Sequence, residues 1–321
     1  MNASITDIPG IRVGHFTNSE CATGCTVVIC ENGATCGVDI RGGAPGTRET
    51  AILAPHSLVQ KVNAILLTGG SAFGLAAADG VMRYCDEKGY GFGMSTRKIP
   101  IVPAAVIYDF YFGAQDCAPK AQDGYEACLQ ASTAKVALGN VGAGTGALVG
   151  KVCGIQQAMR GGLGSAGTRF SSGLIIGVIV VVNTFGDVRN YEDNRIIAGA
   201  RTTDGNNFID TVKYFMDGHS AATNHPSNTL IGVAATNANL SKAELTKVAQ
   251  MAQTGVSQVI TPAHTMYDGD TFFALATGEI EADVNLVGIA TAELVKKAIR
   301  VSVNNVSSQQ LFRLKFRGAK L

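Results

Sequence analysis

Short apolar runs restrict most sharply what this chain can fold into. Residues 171–183, 229–236 and 271–277 are apolar and of strand length, and Ala64-Ile-Leu-Leu67 is a shorter run of the same kind. They read as buried strands, and helix-like stretches alternate with them. The longest apolar stretch, residues 174–182 with Gly177 inside it, falls far short of the ~20 residues a membrane-spanning helix needs. The opening residues, Met1 to Asp7, have neither the basic nor the apolar region of a signal peptide. A cytoplasmic protein without a membrane segment is expected.

Local signals place the remaining elements. Cys25-Thr-Val-Val-Ile-Cys30 and Ala34-Thr-Cys-Gly-Val-Asp-Ile40 are expected as paired strands around Asn32-Gly33, a favoured hairpin turn. Residues 48–62 read as a helix that Pro55 interrupts. Residues 72–85 read as a helix, 116–138 partly so, and 284–303 as a long apolar helix. Ser241-Lys-Ala-Glu244 is a capping box with Leu240 and Leu245 as its hydrophobic staple, which predicts a helix over 242–253 ended by Gly255. No linker or low-complexity segment divides residues 1–321, so a single domain is expected.

Charge narrows the partners. Lys plus Arg number 26 against 25 for Asp plus Glu, a net charge of +1. Nucleic-acid binders and polybasic membrane-surface proteins need a cationic excess that is missing here. Charged residues are only 16%, below the roughly 25% of an average domain. Part of the surface is therefore expected to be covered by other subunits in a homo-oligomer.

Several features bear on chemistry. The eight cysteines form no CxxC pair and the five histidines are isolated, so zinc-type spacing is absent. Cys21, Cys25, Cys30 and Cys36 cluster, either as reduced buried thiols or as a redox or metal site. His15, His56, His219, His225 and His264 read as structural. The Gly-rich run from Gly139 to Lys151 fails as a phosphate loop, because Val152 follows the Lys and the glycine spacing is wrong. Gly69-Gly70-Ser71, between a strand and a helix, is either a tight turn or a place where helix N-terminal amides meet an anion or oxyanion.

The unusual juncture is Asn228-Thr229. Residues 200–228 are polar, turn-rich and expected to be exposed and cleavable, and a buried strand then opens with a hydroxyl residue. An N-terminal nucleophile needs this arrangement. The hydroxyl attacks the preceding carbonyl, an ester forms, water cuts it, and Thr229 becomes the first residue of a new chain. Its α-amine, with an ordinary pKa near 7.7–8.0, can then act as general base for its own hydroxyl.

Ile8-Pro-Gly-Ile-Arg-Val-Gly-His15, Arg41-Gly-Gly-Ala-Pro-Gly-Thr-Arg-Glu49, Leu67-Thr-Gly-Gly-Ser-Ala-Phe-Gly-Leu75, Asn228-Thr-Leu-Ile-Gly-Val-Ala-Ala-Thr-Asn237 and Asp268-Gly-Asp-Thr-Phe-Phe-Ala-Leu-Ala-Thr-Gly278 follow one another along nearly the whole chain. Together they resemble the P1-type (DmpA-like) peptidase family, which holds L-aminopeptidase/D-esterases, β-peptidyl aminopeptidases and the nylon-oligomer endo-amidase. The resemblance implies a four-layer α/β/β/α sandwich of the N-terminal nucleophile type. It further implies a tetramer of processed protomers, cut into residues 1–228 and 229–321, of about 24 and 10 kDa by length. Thr229 after Asn228, and Asp268-Gly269-Asp270 in place of a Ser and a Glu, match the nylon-type branch more closely than the serine aminopeptidases.

The same resemblance nominates Thr229 as nucleophile and Asp268, Asp270, Lys151, Asn183 and Tyr108 as its companions. Two apart in extended chain, the two aspartates face one side and can orient the α-ammonium of Thr229. Asn183 matches the family's oxyanion asparagine. Lys151 near the amine would keep more of it unprotonated, unless it is a surface lysine at a strand end. Tyr108 is either an oxyanion donor or a packed aromatic. No cofactor or metal is implied. Expected substrates are linear amide oligomers of the 6-aminohexanoate type or related peptides. The alternatives are an aminopeptidase on short peptides, an uncut metabolite-binding or scaffold protein, and an acyltransferase of the ornithine-acetyltransferase type.

Overall fold

The computed structural model describes residues 3–112, 117–222 and 228–306. His225 lies outside them.

One long strand organises the sheet. The strands are β1 (Ile11–Asn18), β2 (Thr23–Ile40), β3 (Thr47–Arg48), β4 (Lys61–Thr68), β5 (Ala104–Val106), β6 (Gly162–Arg169), β7 (Ile175–Asn183), β8 (Thr229–Ala238) and β9 (Thr271–Ile280). Their order is β6-β7-β8-β9-β2-β4-β5-β3, with β1 also on β2. β8 runs parallel to β9 and β5 parallel to β4, and the other pairs are antiparallel. The first half of β2 pairs with β1, and its last six residues pair with β9. The two halves of the sheet thus share one strand.

Side-chain alternation shows how the halves stack. Val28, Ile65 and Leu67 of one half share a core with Ile179, Val181, Ile231, Val233, Phe273 and Leu275 of the other. Their outward neighbours Val27, Ile29, Ala64 and Leu66 pack under α1 (Ala77–Glu87) and α2 (Ala121–Leu129). The opposite faces of β7, β8 and β9, with Val178, Val180, Ala234 and Phe272, pack under α3 (Lys242–Ser257) and α4 (Val284–Asn304). Strands apolar on both faces require such cover. The result is the expected α/β/β/α layering, with a core between each pair of layers.

Several local expectations change. Asn32-Gly33 makes no hairpin turn, because β2 runs straight through it as a bulge and Gly33 takes a φ of +69°. Different partners on the two halves of β2 outweigh the local turn preference. Residues 48–62 form only a short 3-10 turn, Thr50–Leu53, before β4 begins. Ala54 turns extended (ψ 139°) before Pro55, whose ring disfavours helix at that position. Residues 72–85 divide into one turn, Ser71–Gly74, and α1.

The capping box forms, with Ser241 N donating to Glu244 Oε2 at 2.8 Å and Glu244 N to Ser241 Oγ at 3.3 Å. Gly255 does not stop that helix. It lies inside α3, where a Cβ would stand 2.5 Å from the Ala292 carbonyl oxygen. Here glycine allows close helix contact rather than a left-handed cap. Strands β1 and β6 were not expected at all, since their glycines and threonines hide the alternation.

Candidate active site

Thr229 is the first residue of β8 and is buried. Its register partner across β7–β8 is Asn183, the last residue of β7. Facing residues of an antiparallel pair share a side of the sheet. Here that side is the one carrying Ile231 and Val181, between the two half-sheets. The Thr229 hydroxyl donates to the carbonyl oxygen of Asn228. That oxygen also accepts from the Gly269 N–H at 2.9 Å. Asn228 Nδ2 donates to the Tyr267 carbonyl at 3.1 Å. The residue before the expected cut is therefore held by the turn that leads into β9.

Asp268 and Asp270 belong to that turn, and both are buried. Asp268 Oδ1 accepts from Phe185 N at 3.4 Å, and its Oδ2 from Thr265 N and Oγ1 at 2.9 and 2.6 Å. Asp270 Oδ1 accepts from Leu230 N at 2.7 Å. Its Oδ2 faces His264, at 3.2 Å from the backbone N and 2.8 Å from Nδ1. Burial first, then the nearby charge of Asp270, pushes Asp268 up to about 6. The loop opening Arg41-Gly-Gly-Ala44 braces the turn from behind: Arg41 N donates to Asp270 O at 3.0 Å and Ala44 N to Asp268 O at 2.8 Å. Two of the five family-like sequence words thus form one unit.

Lys151 is not a surface lysine, being 4% exposed. Its Nζ donates to the Asn183 carbonyl and to Asn183 Oδ1, each at 2.9 Å. Burial lowers its pKa to about 7, against an opposing pull from Asp268 and Asp109. Asn183 Oδ1 also accepts from Leu148 N at 2.9 Å, and Nδ2 donates to the Tyr108 carbonyl at 3.1 Å. Tyr108 thus meets this group through its main chain. Its ring stands edge-on to Phe110 and Tyr111, at 5.3 and 5.4 Å between centroids, and is partly exposed.

The structure brings Thr229, Asn183 and Lys151 into one contiguous set, with Asp268 and Asp270 attached through the Asn228–Gly269 contact and Leu230. His264 joins them through Asp270, which the structural reading of the histidines did not anticipate. It follows a cis Thr261–Pro262 bond and has a φ of +59°. His264 lies only six residues from Asp270, but nothing in local spacing says that its ring turns back to it.

The remaining candidates resolve differently. At Gly69-Gly70-Ser71 the amides are already bonded to Gly24 O, Asp109 Oδ1 and Ile107 O. This is a tight turn whose anion is the protein's own Asp109. Gly142 and Ala143 donate their amides to Thr17 and Thr26 side chains, so the Gly-rich run is structural. Cys25, Cys30 and Cys36 are buried thiols raised by burial. Cys21 departs from the reduced-thiol reading: it is disulfide-bonded to Cys117, with Cα atoms 5.9 Å apart. A partner 96 residues away could not be read from the cluster. Among the described residues, no three His, Cys, Asp or Glu side chains gather as a metal site. No helix among them is long and apolar enough to cross a membrane.

Comparison with known proteins identifies relatives of the whole chain. An uncharacterized aminopeptidase of Mycobacterium leprae is 40% identical, over 94% of this chain and 90% of its own. A 6-aminohexanoate-oligomer endohydrolase of Kocuria sp. is 31% identical over 86% of this chain and 75% of its own. Among solved structures, the L-aminopeptidase D-Ala-esterase/amidase of Ochrobactrum anthropi, described as a variant of the Ntn hydrolase fold, superposes with a TM-score of 0.71. It is 19% identical, and 93% of this chain and 85% of that one are covered. A Burkholderia sp. beta-aminopeptidase gives 0.66 at 22% identity, covering 93% and 85%. The model of peptidase family S58 matches residues 3–313, and the chain belongs to that family.

Proposed function

We propose that this protein is an amide hydrolase that opens its own Asn228–Thr229 bond and then works through Thr229. The observation that carries this reading is the Thr229 hydroxyl set against the Asn228 carbonyl at the start of a buried strand. Once the bond is open, the α-amine of Thr229 takes the hydroxyl proton, and the hydroxyl oxygen attacks a substrate amide carbon. The leaving amine takes that proton and departs, leaving an ester on Thr229. Water then breaks the ester and frees the acid. Lys151, with a proton affinity brought near neutrality, supplies an adjustable charge beside Asn183. The processed chains would be residues 1–228 and 229–321, assembled as a homo-oligomer in the cytoplasm.

The substrates proposed are linear amide oligomers of the 6-aminohexanoate type. An aminopeptidase needs an acidic anchor for the substrate's free amine. Asp268 and Asp270 were the candidates, and every carboxylate oxygen of both already accepts from a group of the fold. This favours internal cleavage. The aminopeptidase reading rests on the 40% identical relatives, whose names carry that activity. Hydrolysis of an amide oligomer with a blocked amino end tests the choice: retained activity supports the endo-amidase, and its loss with free-amine oligomers still cleaved supports the aminopeptidase. Mass spectrometry of the purified protein tests the cut itself, since a fragment beginning at Thr229 is expected.

A further inference from the structure

We propose that the backbone N–H of Gly269 is the oxyanion donor for self-cleavage, and that residue 269 is glycine so that this donor can reach the Asn228 carbonyl beside the Thr229 hydroxyl. The proposal rests on the self-cleavage reading above and adds the group that stabilises its charged intermediate.

Asn183, which the family resemblance nominates as oxyanion donor, sends its Nδ2 hydrogen bond to the Tyr108 carbonyl, while its Oδ1 accepts from Leu148 and Lys151. The Gly269 N–H instead lies 2.9 Å from the oxygen of the bond to be cut. The oxyanion forms on this same atom, which shifts only as its carbon becomes tetrahedral, so the ground-state contact sets the donor beside it. An isolated parallel bridge, Asn228–Asp268, joins the two segments in the same register as the β8–β9 pair that starts at Ile231 and Thr271, so the contact is not a chance approach of loops.

The turn is fixed from behind as well. Ideal Cβ atoms at Gly42 would stand 2.3 Å from Asp268 O and 2.4 Å from Asp270 N, so the 41–44 loop lies directly on the turn. A Cβ at Gly269 would stand 2.8 Å from Thr229 Oγ1 and 2.6 Å from Ala44 O. Any side chain here would push the turn off either the nucleophile or its support. The φ of Gly269 is not in the left-handed region, so the demand for glycine is one of space.

The step balances within these groups. The Thr229 oxygen bonds to the Asn228 carbonyl carbon, and the π pair moves onto the carbonyl oxygen, where the Gly269 N–H receives the charge. Collapse breaks the carbon–nitrogen bond. The Thr229 nitrogen takes the proton lost by the hydroxyl, which leaves an ester. Water adds to the ester, its carbon–oxygen bond breaks, and Asn228 ends as a carboxylate with the Thr229 hydroxyl restored.

The test replaces Gly269 by glycolic acid through nonsense suppression in cell-free synthesis, which exchanges this N–H for an ester oxygen and changes no side chain. Cleavage is followed by mass spectrometry, and folding by circular dichroism and thermal unfolding. A folded chain that cuts ~10²–10³-fold more slowly than the parent is expected. A folded ester chain that cuts at the parental rate overturns the proposal and leaves the self-cleavage reading standing. A parent that never cuts removes both. Should the ester chain not fold, Gly269→Ala decides, because it keeps the N–H but displaces it. Folded and slow supports the proposal, and folded with parental cleavage overturns it.

Discussion

Asn183 faces Thr229 across the β7–β8 pair, and its side-chain oxygen is the shared acceptor for Leu148 N and the Lys151 ammonium. The end of β7 therefore holds three things together: the strand that opens with Thr229, the Leu148 backbone, and the buried Lys151 amine. Asn183 does this while completely buried, where an unmatched donor is costly.

Asn183→Ala should accordingly lose stability and rate together. Leu148 N–H and one Lys151 hydrogen lose their acceptor, which costs about 1–3 kcal/mol for a buried group left unsatisfied. If the Asn183 amide also donates to the substrate oxyanion, turnover falls by ~10²–10³. Urea unfolding and amide hydrolysis by the folded fraction measure the two effects. Hydrolysis within twofold of the parent removes Asn183 from the site.

Thr229→Ala should run as a single chain near 33.3 kDa and hydrolyse nothing. Thr229→Ser keeps the hydroxyl and should still cut. An intact Thr229→Ala protein that hydrolyses amides at the parental rate shows that another residue is the nucleophile.

Lys151 gives a pH signature. Its folded value of about 7 lies below the ordinary 10.5. Between those values the unfolded chain holds a proton that the folded chain does not, so this residue makes stability rise with pH across that window. Lys151→Met removes the contribution. The parental thermal midpoint, minus that of the variant, should increase from pH 7 to pH 10. A flat difference shows that Lys151 titrates normally.

Local chemistry in the sequence reached the buried strands, the α3 cap and the Asn228-Thr229 juncture, because apolar runs and capping residues act over a few positions. It could not show that Asn32-Gly33 is a bulge, since strands β1, β4 and β9, remote in sequence, settle that. Gly255 has the same lesson in a helix: the reason for glycine is Ala292 of α4. At the candidate site, the sequence named residues that the fold brings together, but not the directions of their side chains. Asp268 and Asp270 are two apart, yet Asp268 turns to Thr265 and Phe185 and Asp270 to Leu230 and His264.

His264 offers the sharpest check on that division of labour. Its Nδ1 lies 2.8 Å from Asp270 Oδ2 and its Nε2 3.3 Å from the Gln253 carbonyl. Both neighbours are acceptors, and only the doubly protonated ring donates to both, so the contacts favour the imidazolium form. Burial works against that charge and Arg41 adds to the opposition, but the bond and charge of Asp270 outweigh them, and the His264 pKa is raised. A raised folded value contributes stability that is fully present below the ordinary 6.5 and is lost as pH rises through the folded value. His264→Phe leaves Asp270 buried beside Leu230 without its counter-charge, at a cost of about 3 kcal/mol. The gap between parent and variant should be widest just below pH 6.5 and narrow as the pH rises. A gap independent of pH from 5.5 to 8.5 would mean that folding leaves the His264 pKa at its ordinary value, and that the ring lends Asp270 no extra charge.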